Sequence, residues 1–311
     1  MNEVLAPVIL FVYNRPEHTK RTISALQKNI LANETDLFIF CDAAKTSKDE
    51  EKVEEVKSII NNTTGFNKLS IKIANDNKGL ANSVISGVSE IIDTYGKVIV
   101  LEDDLITSRF FLKYMNEVLD IYKDDSNIWS VSGYTPGIKI PDEYEDNMYI
   151  VRRGCSWGWG TWKNRWNSVD WNIKSYNTFI RNRKKIKEFN QGGNDLTYML
   201  QDQFHRRIDS WAIRWVYNQY QNKQYTIYPV NSLVQNIGTD SSGTHSSSTK
   251  KYEVELYEDL MYVAPNLEFN EKINRSFKEF YNLNLFGYIG VLSRRIGMYR
   301  LLKKIRKIIN V

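Results

Sequence analysis

Five short strand-like runs punctuate the first 132 residues of this chain, and helical patterns fill the gaps between them. The runs are Val8–Tyr13 (VILFVY), Leu37–Cys41 (LFIFC), Leu69–Ala74, Lys97–Leu101 (KVIVL) and Ile128–Ser132. They are too short for helices, and the most apolar of them lack the polar alternation of a half-exposed strand, so they predict strands buried on both faces. Pro16 follows the first run and suits the first turn of a helix, with Ile23, Leu26 and Ile30 as its apolar stripe. Lys48–Asn61 predicts a solvent-facing helix with acids early, where they complement the helix dipole. Gly79–Tyr95 predicts a helix with Leu80, Val84, Val88 and Ile91 on one face, and Ser108–Lys123 another. Strand and helix in alternation fold as a three-layer α/β unit around a mostly parallel sheet. Ligands of such sheets lie beyond the carboxyl ends of the strands.

Those strand ends carry polar groups. Arg15 follows the first run, Asp42 the second, Asp76-Asn77-Lys78 the third, and Glu102-Asp103-Asp104 the fourth. Three adjacent acids at the end of an apolar strand repel one another, and a buried unpaired carboxylate is costly. A hard divalent cation, Mn2+ or Mg2+, relieves both problems; a solvated acidic loop that caps the next helix is the plainer alternative. Taken together, the rim offers a cation, acceptors and a metal site, the mixture that a nucleoside diphosphate requires.

The middle of the chain changes character. Trp157, Trp159, Trp162, Trp166 and Trp171 crowd one stretch, and helical patterns then run to about Asn222. Strands follow near Tyr225–Tyr228 and Ser232–Asn236, then a polar loop, Gly238–Lys250 (GTDSSGTHSSSTK), of the kind that closes over a ligand. The tryptophans fit either a core wedge or a platform for a sugar ring. No internal repeat is present.

Residues 7 to about 245 resemble the GT-A-fold glycosyltransferases, in particular the branch containing N-acetylglucosaminyltransferase I and the bacterial transferases of capsule and O-antigen synthesis. The resemblance rests on PVILFVYNRP, VIVLEDDL, GCSWGWGTW, DSWAIRW and SLVQNIGTDSSGTH in that order. It implies a GT-A, Rossmann-like fold and a nucleotide-sugar donor, with UDP the expected nucleotide. It assigns the metal to Asp104, the ribose side to Asp103 and the donor sugar to Glu102. Arg15 falls at a diphosphate-side arginine and Asp42 at the acid that reads the uracil edge. Asn77 and Lys78 join the donor-binding set. Asp209, in Asp209-Ser210-Trp211, falls at the catalytic base; the family carries two adjacent acids there, so Asp202 stands as the alternative. His245 is placed as a metal ligand or diphosphate contact, and Trp157 and Trp211 at the acceptor. A single base behind the acceptor hydroxyl implies in-line attack and inversion.

Two other classes of function are open to such a chain. A sugar-phosphate nucleotidyltransferase shares the sheet and the acidic site, but the first strand is followed by Asn14-Arg15-Pro16 and not by a glycine-rich triphosphate loop. A non-catalytic sugar- or lipid-binding module is disfavoured by the intact acids at 102–104 and 209.

The formal charge of +5 comes from 42 basic and 37 acidic residues among 311. Seven of the bases (Arg294, Arg295, Arg300, Lys303, Lys304, Arg306 and Lys307) lie between Phe286 and Val311, where there is no acid, which leaves 35 bases against 37 acids elsewhere. A slightly acidic body argues against a nucleic-acid partner. In the tail, Leu292, Ile296, Tyr299, Leu302, Ile305 and Ile309 recur at steps of three and four. That pattern fits a basic amphipathic helix on an anionic membrane surface, or a helix docked on the body with a solvated basic face. The expected acceptor is a saccharide, lipid-linked if the tail meets a membrane. Two cysteines cannot form a disulfide framework, and no leader-like segment opens the chain, so the expectation is a cytoplasmic protein, peripheral at most on the inner membrane face. The expected organisation is a nucleotide-sugar half over 1–135, an acceptor and catalytic half over 136–250, and an extension over 251–311.

Overall fold

A computed structural model describes residues 4–239 and 250–295. The chain runs β1 (Val8–Val12), α1 (Pro16–Gln27), β2 (Asp36–Cys41), α2 (Ser47–Asn61), β3 (Lys68–Ile73), α3 (Leu80–Tyr95), β4 (Lys97–Glu102), β5 (Leu105–Thr107), α4 (Phe111–Ile121) and β6 (Ile128–Ser132). It continues through β7 (Met148–Val151), β8 (Trp159–Trp162), α5 (Lys163–Asn167), α6 (Tyr176–Phe179), α7 (Arg183–Phe189), α8 (Asp195–Phe204), α9 (Trp211–Gln221), β9 (Tyr225–Pro229), β10 (Val234–Asn236), α10 (Glu271–Tyr281) and α11 (Leu285–Arg295).

Eight strands form one sheet in the order β3-β2-β1-β4-β8-β6-β9-β7. The pairs from β3 to β4 are all parallel, as is β6 with β9, whereas β8 runs antiparallel to both of its neighbours and β7 to β9. The expected α/β class with a mostly parallel, helix-flanked sheet is what the chain adopts.

The all-apolar sequence of β1 explains its central place. Val8, Leu10 and Val12 enter a core with Ile23 and Leu26 of α1 and Val53, Val56 and Ile60 of α2. The alternate residues Ile9 and Phe11 enter the opposite core with Val84, Val88 and Ile92 of α3. Side chains alternate across a strand, so a run with no polar position must be covered twice. β3 is less apolar because it is the edge strand; its Ile73 is 44% exposed.

Three elements differ from expectation for one reason, pairing between distant segments. The helix expected over 108–123 begins at Phe111, because residues 105–107 form β5 and pair antiparallel with β10. The tryptophan stretch contains β8, which inserts between β4 and β6. The strand expected over 232–236 shortens to β10 and stays out of the main sheet.

Past the sheet, α6 to α9 build their own core from Tyr176, Phe179, Phe189, Leu196, Leu200 and Tyr217. Residues 250–295 also dock on the body. Asn270 caps α10 by accepting from the amides of Lys272 and Ile273, and Phe277 buries fully against Tyr149 and Tyr228. Among the described residues no helix is long and apolar enough to cross a membrane.

Candidate active site

The carboxyl ends of β1 to β4 open into a cleft of about 1270 Å³. Arg15, Asp42, Asn77, Lys78, Glu102, Asp103 and Asp104 line it, and Trp157 and Asp209 from the second half of the chain face the same space.

The acidic triplet is held by one arginine. Arg15 leaves the end of β1, where Pro16 turns the chain into α1, and its Nη1 donates to Asp104 Oδ2 at 2.7 Å. The same nitrogen lies 3.5 Å from Asp103 Oδ1. Burial drives the Glu102 carboxyl well above the usual carboxylate range, and its neighbours Asp104 and Asp103 add to that. Burial and Asp104 push Asp103 up to about 7, while Arg15 pulls the other way. Three carboxyls thus share a single guanidinium.

A second segment closes on this pair. β10 pairs with β5, so the chain leaving β10 runs back over Asp104: the Ile237 amide donates to the Asp104 carbonyl at 2.9 Å, and Asn236 Nδ2 lies 3.5 Å from Asp104 Oδ1. Gly238 comes so near that a Cβ there would sit 2.0 Å from Asp104 Oδ2 and 2.9 Å from an Arg15 terminal nitrogen. Glycine is needed here for close approach. His245 lies outside the described residues.

The β2–β3 side of the cleft is organised by Asp42. Its carboxylate accepts from the amides of Ala43 (3.0 Å), Lys78 (2.9 Å) and Gly79 (2.9 Å), which ties the end of β2 to the start of α3. Gly79 makes that turn at φ +74, a conformation glycine adopts cheaply. With roughly four acceptor positions on a carboxylate, Asp42 has about one left for a ligand. Asn77 Nδ2 donates to the Ala43 carbonyl at 2.7 Å. Lys78 is exposed on the rim, and Ile73 and Leu80, both largely exposed, supply an apolar patch on the same wall.

On the facing wall, Asp209 has a side chain 62% exposed and lies 3.3 Å from Arg214 Nη2. Ser210 caps α9 by accepting from the Ile213 amide, so Asp209 sits just ahead of the helix. Asp202 is fully buried, 3.4 Å from Arg207, and does not line the cleft. Of these two acids, Asp209 is therefore the one that lines the cleft.

The two tryptophans part company. Trp157 lines the cleft, edge-on to Tyr134 (4.7 Å) and Tyr252 (5.4 Å). Trp211 is a correction: it is 3% exposed and stacks on Trp159 at 5.0 Å within the core that also holds Trp129, Trp166 and Trp215. Its position at the start of α9 turns the indole inward, so it builds the wall from behind.

Tyr13, Asn236, Gly238 and Tyr252 line the cleft without having been singled out from sequence. Tyr13 ends the first apolar run, and Gly238 opens the Gly/Ser/Thr loop, so both had a signal. Tyr252 had none; it arrives from the chain after 250 and is backed by Phe280 and Tyr281. Cys41 also lines the cleft, but burial pushes its thiol up to about 11, which leaves it a poor nucleophile.

Among the described residues no group of three or more His, Cys, Asp or Glu side chains is arranged to hold a metal alone. The donor chemistry nevertheless fits a divalent cation. Asp104 offers hard oxygen at the cleft surface, with the carboxyls of Asp103 and Glu102 lining the same cleft. Asp104 would hold the ion, with the remaining ligands coming from bound substrate.

No protein-family model and no curated protein matches the sequence. Among solved structures, the chain is similar to S. aureus TarS residues 1–349, at 11% identity over 74% of this chain and 59% of that one, TM-score 0.43. It is similar to a mannosyltransferase of Pyrobaculum calidifontis in complex with GDP-Man and Mn2+, at 14% identity over 41% and 35%, TM-score 0.30. It is also similar to a putative glucose-1-phosphate thymidylyltransferase of Bacillus anthracis, at 14% identity over 76% and 92%, TM-score 0.37. The chain spans 59% and 35% of the first two structures, respectively. Likenesses this loose transfer no activity.

Proposed function

We propose that the cleft is the active site of a GT-A-type glycosyltransferase that moves a sugar from a nucleoside diphosphate donor to a saccharide acceptor. One observation carries this reading. Arg15 and the Glu102–Asp104 triplet, at the ends of adjacent parallel strands, face Asp209 and Trp157 across a single cleft.

The finer assignment follows from the chemistry each group can do. The apolar patch of Ile73 and Leu80, with the last acceptor position of Asp42, is compatible with a nucleoside base; that the donor is a UDP-sugar and the group moved an N-acetylhexosamine rests on the sequence resemblance. Asp103 binds toward the ribose and Glu102 toward the donor sugar. Arg15 places positive charge beside the diphosphate, where negative charge grows as the leaving group departs. A Mn2+ or Mg2+ ion on Asp104 supplies further charge neutralisation when bound.

Asp209 acts as general base and Arg214 positions it. The acceptor oxygen attacks the anomeric carbon on the face opposite the diphosphate, Asp209 takes its proton, and the sugar–phosphate bond breaks with its electron pair leaving on the diphosphate. One displacement of this kind inverts the anomeric centre. Trp157 offers an indole beside Tyr252 for the acceptor ring. The acceptor in this reading is lipid-linked and presented at the inner face of a membrane, as in the assembly of surface polysaccharide.

The test is titration calorimetry and nucleotide-release assays on a panel of UDP- and GDP-sugars, with Mn2+ and with chelator. Asp104→Ala should lose cation-dependent donor binding. A wild-type protein that neither binds nor cleaves any nucleotide sugar would refute the proposal.

A further inference from the structure

Helix α11 is docked only in part. Asn284 caps it by accepting from the Gly287 amide at 2.9 Å, and Val291 (5% exposed) and Ser293 (3%) face the body. Tyr288 reaches α8, where its hydroxyl accepts from Asn194 Nδ2 at 2.9 Å and its ring packs against Tyr198. Its first two turns nevertheless expose Leu285 (72%), Phe286 (73%), Ile289 (45%) and Leu292 (59%). At 100° per residue these four positions lie within about 120° of one another, in a sector that the buried Ser293 closes toward the C-terminal end, so they form an apolar patch on the first two turns. Scattered exposed leucines need no explanation, but four large side chains in one patch do.

Charge beside the patch says what covers it. Arg295 ends the helix, hydrogen-bonds Gln201 and lies over the Tyr198 ring. With Gln201, His205 and Arg207 it lines a recess of about 210 Å³. The sequence continues with five more bases and no acid to Val311. A second protein with an apolar groove would satisfy the patch but gives no reason for this one-signed surround. A layer that is apolar below and anionic on top satisfies both.

We propose that α11 seats the protein on an anionic bilayer. Leu285, Phe286, Ile289 and Leu292 sink to the boundary between headgroups and acyl chains, and Arg295 and Arg207 meet headgroup phosphates. Over the described residues the helix spans 11 positions, too few to cross a bilayer, so this part would lie in the interface. The contact uses α8 and α11 and none of the cleft residues, so it stands or falls independently of the transferase reading.

The test is co-sedimentation of the full chain with vesicles of 30% phosphatidylglycerol in phosphatidylcholine, against pure phosphatidylcholine. Wild-type protein should pellet with the anionic vesicles and be released by high salt. The Phe286→Ser/Ile289→Ser double variant alters only exposed side chains and should keep its circular dichroism and thermal midpoint. Its partitioning should fall at least about tenfold. Arg295→Glu should fall several-fold and show a weaker salt dependence. Failure of the wild type to pellet, full retention by the double variant, or equal binding to neutral vesicles overturns the proposal. So does a dimer of wild type by light scattering that the double variant breaks, since the patch would then belong to a second copy of this chain.

Discussion

Replacing Gly238 with alanine should dismantle the acidic site without unfolding the protein. Gly238 is not among the glycines with positive φ, so an alanine meets no dihedral penalty there. The whole cost is contact. Its Cβ would lie 2.0 Å from Asp104 Oδ2, so one partner must move by more than about 1 Å to restore ordinary contact. The 237–239 segment is tied down by the Ile237 amide on the Asp104 carbonyl and by the Gly238 amide on Asn236 Oδ1 at 2.8 Å. Asp104 is tied by Arg15 at 2.7 Å. The Asp104 carboxylate is the end of a flexible side chain and yields first, which breaks its bond to Arg15, and a charged hydrogen bond contributes about 1.5–3 kcal/mol. That corresponds to a fall of roughly tenfold to a hundredfold in cation-dependent binding of a UDP-sugar by calorimetry. The thermal midpoint should drop only a few degrees, because the buried sheet is untouched. An alanine variant that binds donor and cation like wild type would refute the claim that this contact shapes the site.

Other expectations follow from the same geometry. Asp209→Asn should leave donor binding intact and cut transfer about 10²–10⁴-fold, whereas Asp202→Asn should act mainly on the melting temperature; the reverse result in paired kinetic and melting measurements would move the base to Asp202. Trp211→Ala should cost about 3–5 kcal/mol in urea unfolding, as for any large buried core residue, while Trp157→Ala should spare stability and raise the acceptor KM. Cys41 is an acid whose folded pKa is raised, so the folded state holds its proton more tightly; stability should be unaffected below pH 9 and decline as pH rises from there through about 11. Iodoacetamide at pH 8 should accordingly modify Cys41 only under denaturing conditions, which mass spectrometry will show.

Much of the donor side is legible in sequence because it is local. Strand runs end where the apolar residues end, and each polar group that follows is delivered to the same rim by the parallel arrangement. Arg15, Asp42, Lys78 and Asp104 needed only that rule. Residues carried by long-range pairing were not legible in this way. β8 and the β5–β10 ribbon depend on partners far away in sequence, so Gly238 reached Asp104 unannounced. Tyr252 reached Trp157 through the packing of α10, which has no local signature at residue 252.

The sequence by itself determined the α/β class, the burial of β1 on both faces and the row of chemical groups at the strand ends. These follow from periodicities of two and 3.6 residues and from the expense of burying unpaired charge. Only the tertiary structure decided which of two similar groups lines the cleft. Asp209 and Asp202 are seven positions apart and chemically identical, and Trp157 and Trp211 are the same residue. One of each pair faces the cleft and the other faces the core, because the side chain's direction is set by the packing of α8, α9 and β8 against the sheet. The same holds for α11, whose apolar patch is exposed because the body covers only part of the helix.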